Sequence, residues 1–168
     1  IQKLCGDYSS ENIFHSDAKL CVVKFPLAEK GKPFNYTFRE NYHDVKYLTS
    51  FYFLQHYPVI ERIVQFNIPA WLEIDLREFN FEGYNIQKSS VKEGDITKII
   101  FKITNVQAYK SESNSPNHAL SYPHIICVTK AFTETGKRTT LFETVKDLYG
   151  WYSSLCADIG NNPETVKA

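Results

Sequence analysis

"VIERIVQFNIPAWLEIDLREF", residues 59–79, decides the fold. Before its proline, Ile60, Val64, Phe66 and Ile68 fall on one parity, with Arg62 interrupting them. After it, Leu72, Ile74 and Leu76 alternate with Glu73, Asp75 and Arg77. Alternation with period two is the mark of a strand that buries one face, because successive side chains point to opposite sides of a pleated sheet. Pro69 has no N–H for a ladder, so the run breaks there. Two strands joined through Ile68-Pro69-Ala70 make either a hairpin or a corner between two sheets.

The same period recurs on both sides. Upstream, "AKLCVVKF" at 18–25 reads as a strand that ends before Pro26, and "EKGKP" at 29–33 as a turn. Phe34, Tyr36, Phe38 and Tyr42 alternate with Asn35, Thr37, Arg39 and Asn41, which predicts a half-buried strand over 34–42. Residues 43–58 are aromatic-rich without a clean period and read as a crossing whose rings tuck into the core edge. Downstream, a short strand is expected at about 84–90. In the next one Ile99, Phe101 and Ile103 face inward while Lys98 and Lys102 face outward. A polar crossing over 105–123 leads to the strand "PHIICVTKAF" and a Gly-centred hairpin turn, "TETGKRTT". At Leu141 the period changes: Leu141, Val145, Leu148, Tyr152, Leu155 and Ile159 recur at steps of three and four, an amphipathic helix. Gly150 inside it implies close packing or a kink, since glycine costs a helix roughly 1 kcal/mol relative to alanine. "GNNPE" ends the helix, and Pro163 suits the first turn of another.

Regularly spaced strands with Gly and Pro turns, then one helix, place the chain in the mainly all-β class: an antiparallel two-layer β-sandwich with a C-terminal α-helix. The expected division is a sandwich over 1–140 and a helix with a linker over 141–168.

Composition narrows function. A chain of 168 residues, 43% hydrophobic and 15% aromatic, can bury a core without a metal or disulfide staple. Nineteen basic residues balance nineteen acidic ones and no basic stripe is visible, which argues against nucleic acid. No apolar run is long enough for a membrane span. The chain starts at Ile1 and contains no Met, as expected of a piece of a longer or processed polypeptide. Cys5, Cys21, Cys127 and Cys156 form no C-x-x-C pair; four cysteines allow three pairings, and the plainest expectation is buried free thiols.

Signals for chemistry are weak. His124 and Cys127 lie three apart in a strand, so alternation sends them to opposite faces. His15, His43, His56, His118 and His124 show no i, i+4 pair, so neither a metal site nor a cofactor is expected. There is no phosphate-cradling loop and no G-x-S-x-G elbow. Glu112 has no partner carboxylate in view for sugar hydrolysis. Asn35-Tyr36-Thr37 fits a glycosylation acceptor, but within an expected strand. Tyr47, Phe51, Tyr52 and Trp71 are candidates for stacking on a sugar ring.

Three segments carry a family resemblance: "HYPVIERIVQFNIPAWLEI", "NVQAYKSESNSPNHALSYPHIICV" and "LYGWYSSL". Together they resemble the N-terminal β-rich domain, of unknown biochemical function, that precedes a transglutaminase-like domain in secreted bacterial proteins. The helix signature reads Asp147, Leu148, Tyr149, Gly150, Trp151, Tyr152, with Gly150 where a longer polar residue is usual. The resemblance implies a non-catalytic accessory domain in the periplasm or at the cell surface, packed against a downstream transglutaminase-like domain of the same chain. The crossing between the sheets then becomes an interaction loop: Glu112, Ser113, Ser115, His118 and Tyr122, with segment 43–57, are expected to dock that neighbour or another protein. The alternative is a carbohydrate-binding module with a glycan ligand.

Overall fold

The computed structural model describes residues 2–7, 19–24, 31–109 and 114–157. The chain forms two compact units that divide between Asn41 and Tyr42.

In the first unit, β1 (Gln2–Asp7) pairs antiparallel with β2 (Lys19–Lys24). The expected strand at 18–25 is present, and its partner is a segment that shows no clear alternation. Cys5 stands directly opposite Cys21, and the two form a disulfide. This corrects the expectation of free thiols for these two, because spacing along the chain does not reveal that two strands set them in register; Cys127 is free and buried as expected, and Cys156 is free but exposed. Every described side chain of both strands is exposed.

Residues 32–42 are irregular, not the expected strand, and Phe38 is 74% exposed. Phe34 and Tyr36 stack on each other with ring centroids 6.2 Å apart. Alternation becomes a strand only where a sheet edge accepts its backbone hydrogen bonds. One consequence is that the Asn35-Tyr36-Thr37 acceptor lies in exposed irregular chain.

The described residues of the second unit form two antiparallel sheets. One has the order β3 (Ser50–Tyr52), β8 (His124–Glu134), β5 (Leu72–Phe79), with β9 (Lys137–Thr140) also on β8. The other has the order β4 (Val59–Pro69), β7 (Ile96–Val106), β6 (Gln87–Glu93). Residues 59–79 therefore form a corner between sheets. On one side of it Ala70 N donates to Asp95 O at 2.7 Å, in the turn between β6 and β7. On the other, Thr133 N at the end of β8 donates to Trp71 O, also at 2.7 Å. Pro69 closes β4, where its missing N–H costs least.

The inward parity follows the sequence with one exception. Phe66 is buried and Val64 and Ile68 pack on the core, but Ile60 is 68% exposed and Val59 turns inward instead. The partner strand switches parity at the same row: Phe101 and Ile103 are buried, then Val106. Asn105, between them, has φ +54°. One residue in the left-handed region turns the pleat over, and Asn tolerates it better than most.

The short strand β6 starts three residues later than expected, because Gly83 (φ +80°) opens a turn in which Tyr84 N donates to Phe81 O at 3.0 Å. That turn packs Phe81, Tyr84 and Ile86 on the core. The core joins both sheets: Phe66, Phe101, Ile103 and Val106 from one meet Ile125 and Cys127 from the other, and Phe53 lies fully buried among them. The expected tuck of 43–58 is Phe51 and Phe53, with Phe51 edge-on to Phe66 at 5.1 Å. Such aromatic pairs add about 0.5–1.5 kcal/mol beyond area burial.

Among the described residues two α-helices complete the unit: α1 (His118–Ser121) in the polar crossing and α2 (Val145–Leu155) after β9. Leu141 lies before α2, its N–H on Lys130 O at 2.7 Å, while Ile159 and Pro163 fall outside the described residues. An added Cβ at Gly150 would meet nothing within 4 Å, so close packing does not account for that glycine.

Candidate functional site

Two surfaces of the second unit gather functional side chains. The first is α2. Its start is set by a capping box: Thr144 Oγ1 accepts from Asp147 N at 3.2 Å, and the Asp147 carboxylate accepts from Thr144 N at 2.7 Å. The Thr144 hydroxyl and N–H hold the Asp147 carboxyl below its usual range. Such a box satisfies two of the backbone donors a helix start leaves open. The amphipathic period expected of this segment is present, but its apolar side is not buried. Val145 is 84% exposed, Tyr149 74%, Tyr152 64% and Leu155 58%. Trp151 meets Phe142, in the turn just before the helix, in a perpendicular contact at 5.6 Å. Where α2 begins, an open groove of about 420 Å³ runs past Leu48, Val128, Phe142, Val145 and Leu148.

The second surface is the outer face of the β3-β8-β5 sheet at one end. Tyr52, His124 and Phe79 occupy one row across the three strands. Their rings stack, with His124 4.9 Å from Tyr52 and 5.2 Å from Phe79. His124 is 2% exposed, and its Nδ1 lies 2.9 Å from Tyr122 O; a carbonyl only accepts, so Nδ1 carries the proton. His118 and Tyr122 of the polar crossing lie against this row. Asn80, at φ +57°, donates from Nδ2 to Ala119 O (3.1 Å) and Tyr122 O (3.2 Å), which ties down α1. The near end of the crossing is held by Tyr109 N on Gln55 O at 2.6 Å. Tyr109 in turn meets His56, His118 and Tyr122, with ring centroids 5.1–5.5 Å away. The crossing is thus an ordered link between sheets at both of its described ends.

Of the residues expected to interact, His118 and Tyr122 join this cluster with Tyr52, and Ser115 is exposed on the approach to α1. Glu112 and Ser113 lie outside the described residues. The four stacking candidates do not form one platform. Phe51 points the other way, into the core. Tyr52 has one ring face against His124, with His118 perpendicular at 5.5 Å. Tyr47 is 70% exposed on a 3-10 turn (Val45–Tyr47), and Trp71, 48% exposed, sits at the corner, the opposite end of β5 from Phe79. Phe79 and Tyr109 carry no mark in the sequence, and His56 stands there only as one of five scattered histidines. The signal that could have found them is strand register, which a single sequence does not display.

The Cys127 thiol faces the core, and burial pushes it up to about 12, so it stays protonated at neutral pH. His124 lies on the other face of β8, stacked between Tyr52 and Phe79. No group of three or more His, Cys, Asp or Glu side chains among the described residues could hold a metal ion. No described helix is long and apolar enough to cross a membrane. The two-layer antiparallel architecture defines the class: a β-sandwich with a C-terminal helix. Comparison with protein-family models, curated proteins and solved structures gave no match to the chain.

Proposed function

We propose that the chain is a non-catalytic accessory module of a larger exported protein, docking the transglutaminase-like domain that follows it through the apolar side of α2. The observation that carries this reading is the exposure of Val145, Tyr149, Tyr152 and Leu155 on one capped helix. A helix with that much bare apolar surface is stable in a finished protein when something covers it. Tyrosine is favoured at such contacts because it buries a large ring at little conformational cost. The Cys5–Cys21 disulfide supports an oxidising compartment, hence export. The protonated core thiol, with the His124 imidazole on the opposite face of β8, supports a role without catalysis.

The test uses the longer polypeptide beside residues 1–168 alone. Amide exchange in α2 slows when the downstream segment is present. Tyr149→Glu with Tyr152→Glu abolishes that protection while the far-UV spectrum of residues 1–168 stays unchanged. Equal exchange rates in the long and short chains would sink the reading.

A further inference from the structure

Among the described residues of the second unit, five strands lie at sheet edges: β3 and β9 on one side of β8, β5 on its other side, and β4 and β6 on either side of β7. An edge strand offers a row of backbone donors and acceptors to any strand that can align with it, and its side chains decide whether alignment is tolerated. β3 is three residues long. β9 carries two adjacent cations, Lys137 and Arg138. In β6, Lys88 and Lys92 sit symmetrically about Ser90, so antiparallel pairing of two copies about Ser90 would bring like charges together. β4 ends on Pro69, and its Glu61 and Arg62 point to opposite faces, so no register sets them side by side.

β5 differs from all four. Asp75 and Arg77 flank Leu76 on the outer face, while Leu76 packs against the core. When a second β5 runs antiparallel to the first with Leu76 opposite Leu76, Asp75 of each copy falls opposite Arg77 of the other. Both cross-strand pairs then lie on the same face, as a two-fold axis requires. In the single chain Arg77 Nε bonds Asp75 Oδ2 along its own strand at 3.1 Å, Lys130 Nζ on β8 reaches the same oxygen at 3.6 Å from the inner side, and Arg77 and Asp75 keep 57% and 33% of their accessible surface. Phe79, which ends the aromatic row on this same strand, is 40% exposed. The edge is thus charged enough to stay soluble alone and self-complementary in one register.

We propose that the outer edge of β5 is a self-association surface, on which a second copy of this chain pairs antiparallel about Leu76 with two Asp75–Arg77 ion pairs across the dyad. The β3-β8-β5 sheet of one protomer then continues into that of the other. This inference is independent of the docking role of α2, because it uses a different element and a different occupant.

The experiment is sedimentation of the full chain over micromolar to millimolar concentrations, with D75R and R77D alone and mixed. The parent chain passes from monomer to dimer as concentration rises. Each single variant sets like charges opposite each other and weakens the dimer by about tenfold. An equimolar mixture of the two recovers the parent affinity, because one strand then brings two cations and the other two carboxylates. The along-strand pair is broken in both variants, so recovery on mixing reports the interface and not the monomer. D75R also sets a second cation beside Lys130, whose Nζ lies 3.6 Å from Asp75, so thermal melts accompany each variant. If D75R melts early, D75N with R77Q replaces it, and each of these weakens the dimer as well. A parent chain that stays monomeric throughout, a mixture no tighter than its parts, or an edge that pairs only with an unrelated extended peptide would each overturn the proposal.

Discussion

At the residue scale, Cys127 and Asn80 show how one environment sets one behaviour. Burial raises the Cys127 thiol from an ordinary 9.0 to about 12. The unfolded chain therefore loses this proton near pH 9 while the folded chain keeps it, and folding stability declines as pH rises from 9 toward 12. Below pH 9 both states hold the proton and the thiol contributes no slope. Denaturant titrations at pH 8 and pH 10 check this: Cys127→Val flattens the loss that the parent shows between them. Asn80 does two jobs, adopting φ +57° and bonding the Ala119 and Tyr122 carbonyls. Asn80→Gly keeps the backbone conformation and loses the bonds, at about 1 kcal/mol. Asn80→Ala loses both and costs about 1–2 kcal/mol more, since a Cβ disfavours the left-handed region. Chemical denaturation of the two variants separates the terms. None of this was legible beforehand. No local pattern shows that the Asn80 amide reaches residues 39 and 42 positions away.

At the element scale, patterning located most strands and misjudged where apolar faces would go. β4, β5, β7 and β8 show inward rows that match their alternation, apart from Ile60, because a sheet with one wet face leaves that signature. The 34–42 segment has the same signature and is irregular. Period two states what a strand would bury, not whether an edge is there to receive it. α2 makes the complementary point. Its period of three and four is real, yet Val145 and Tyr149 face solvent, because periodicity names a face without naming its partner. The capping box gives a direct check. Thr144→Ala removes the cap and destabilises the helix by about 1 kcal/mol, read as lost helical ellipticity or faster exchange at 145–148. The box also makes α2 sensitive to acid: the Asp147 carboxyl is depressed, so its contribution is present above the ordinary Asp range and disappears as pH falls below it.

At the scale of the whole molecule, the two units draw stability from different sources. The second has a core shared by two sheets. In the first, every described side chain of β1 and β2 is exposed, and a lone two-stranded hairpin is marginal in water. The Cys5–Cys21 bridge spans 16 residues, for which loop closure alone is worth about 3 kcal/mol. Reduction should therefore release amide protection at Gln2–Asp7 and Lys19–Lys24 and leave β4, β7 and β8 protected; exchange with and without reductant measures it. By itself the sequence determined the mainly antiparallel class, the inward parity of the long strands, the break at Pro69 and the helical period after Leu141, because each depends on neighbours within a few residues. Only the tertiary structure decided that 59–79 turns a corner between sheets, that Cys5 meets Cys21, that Phe79, His124 and Tyr52 share a row, and that α2 keeps an apolar side in water. Those outcomes depend on which strands lie beside which, and that is settled by the free energy of the assembled core and not by any local pattern.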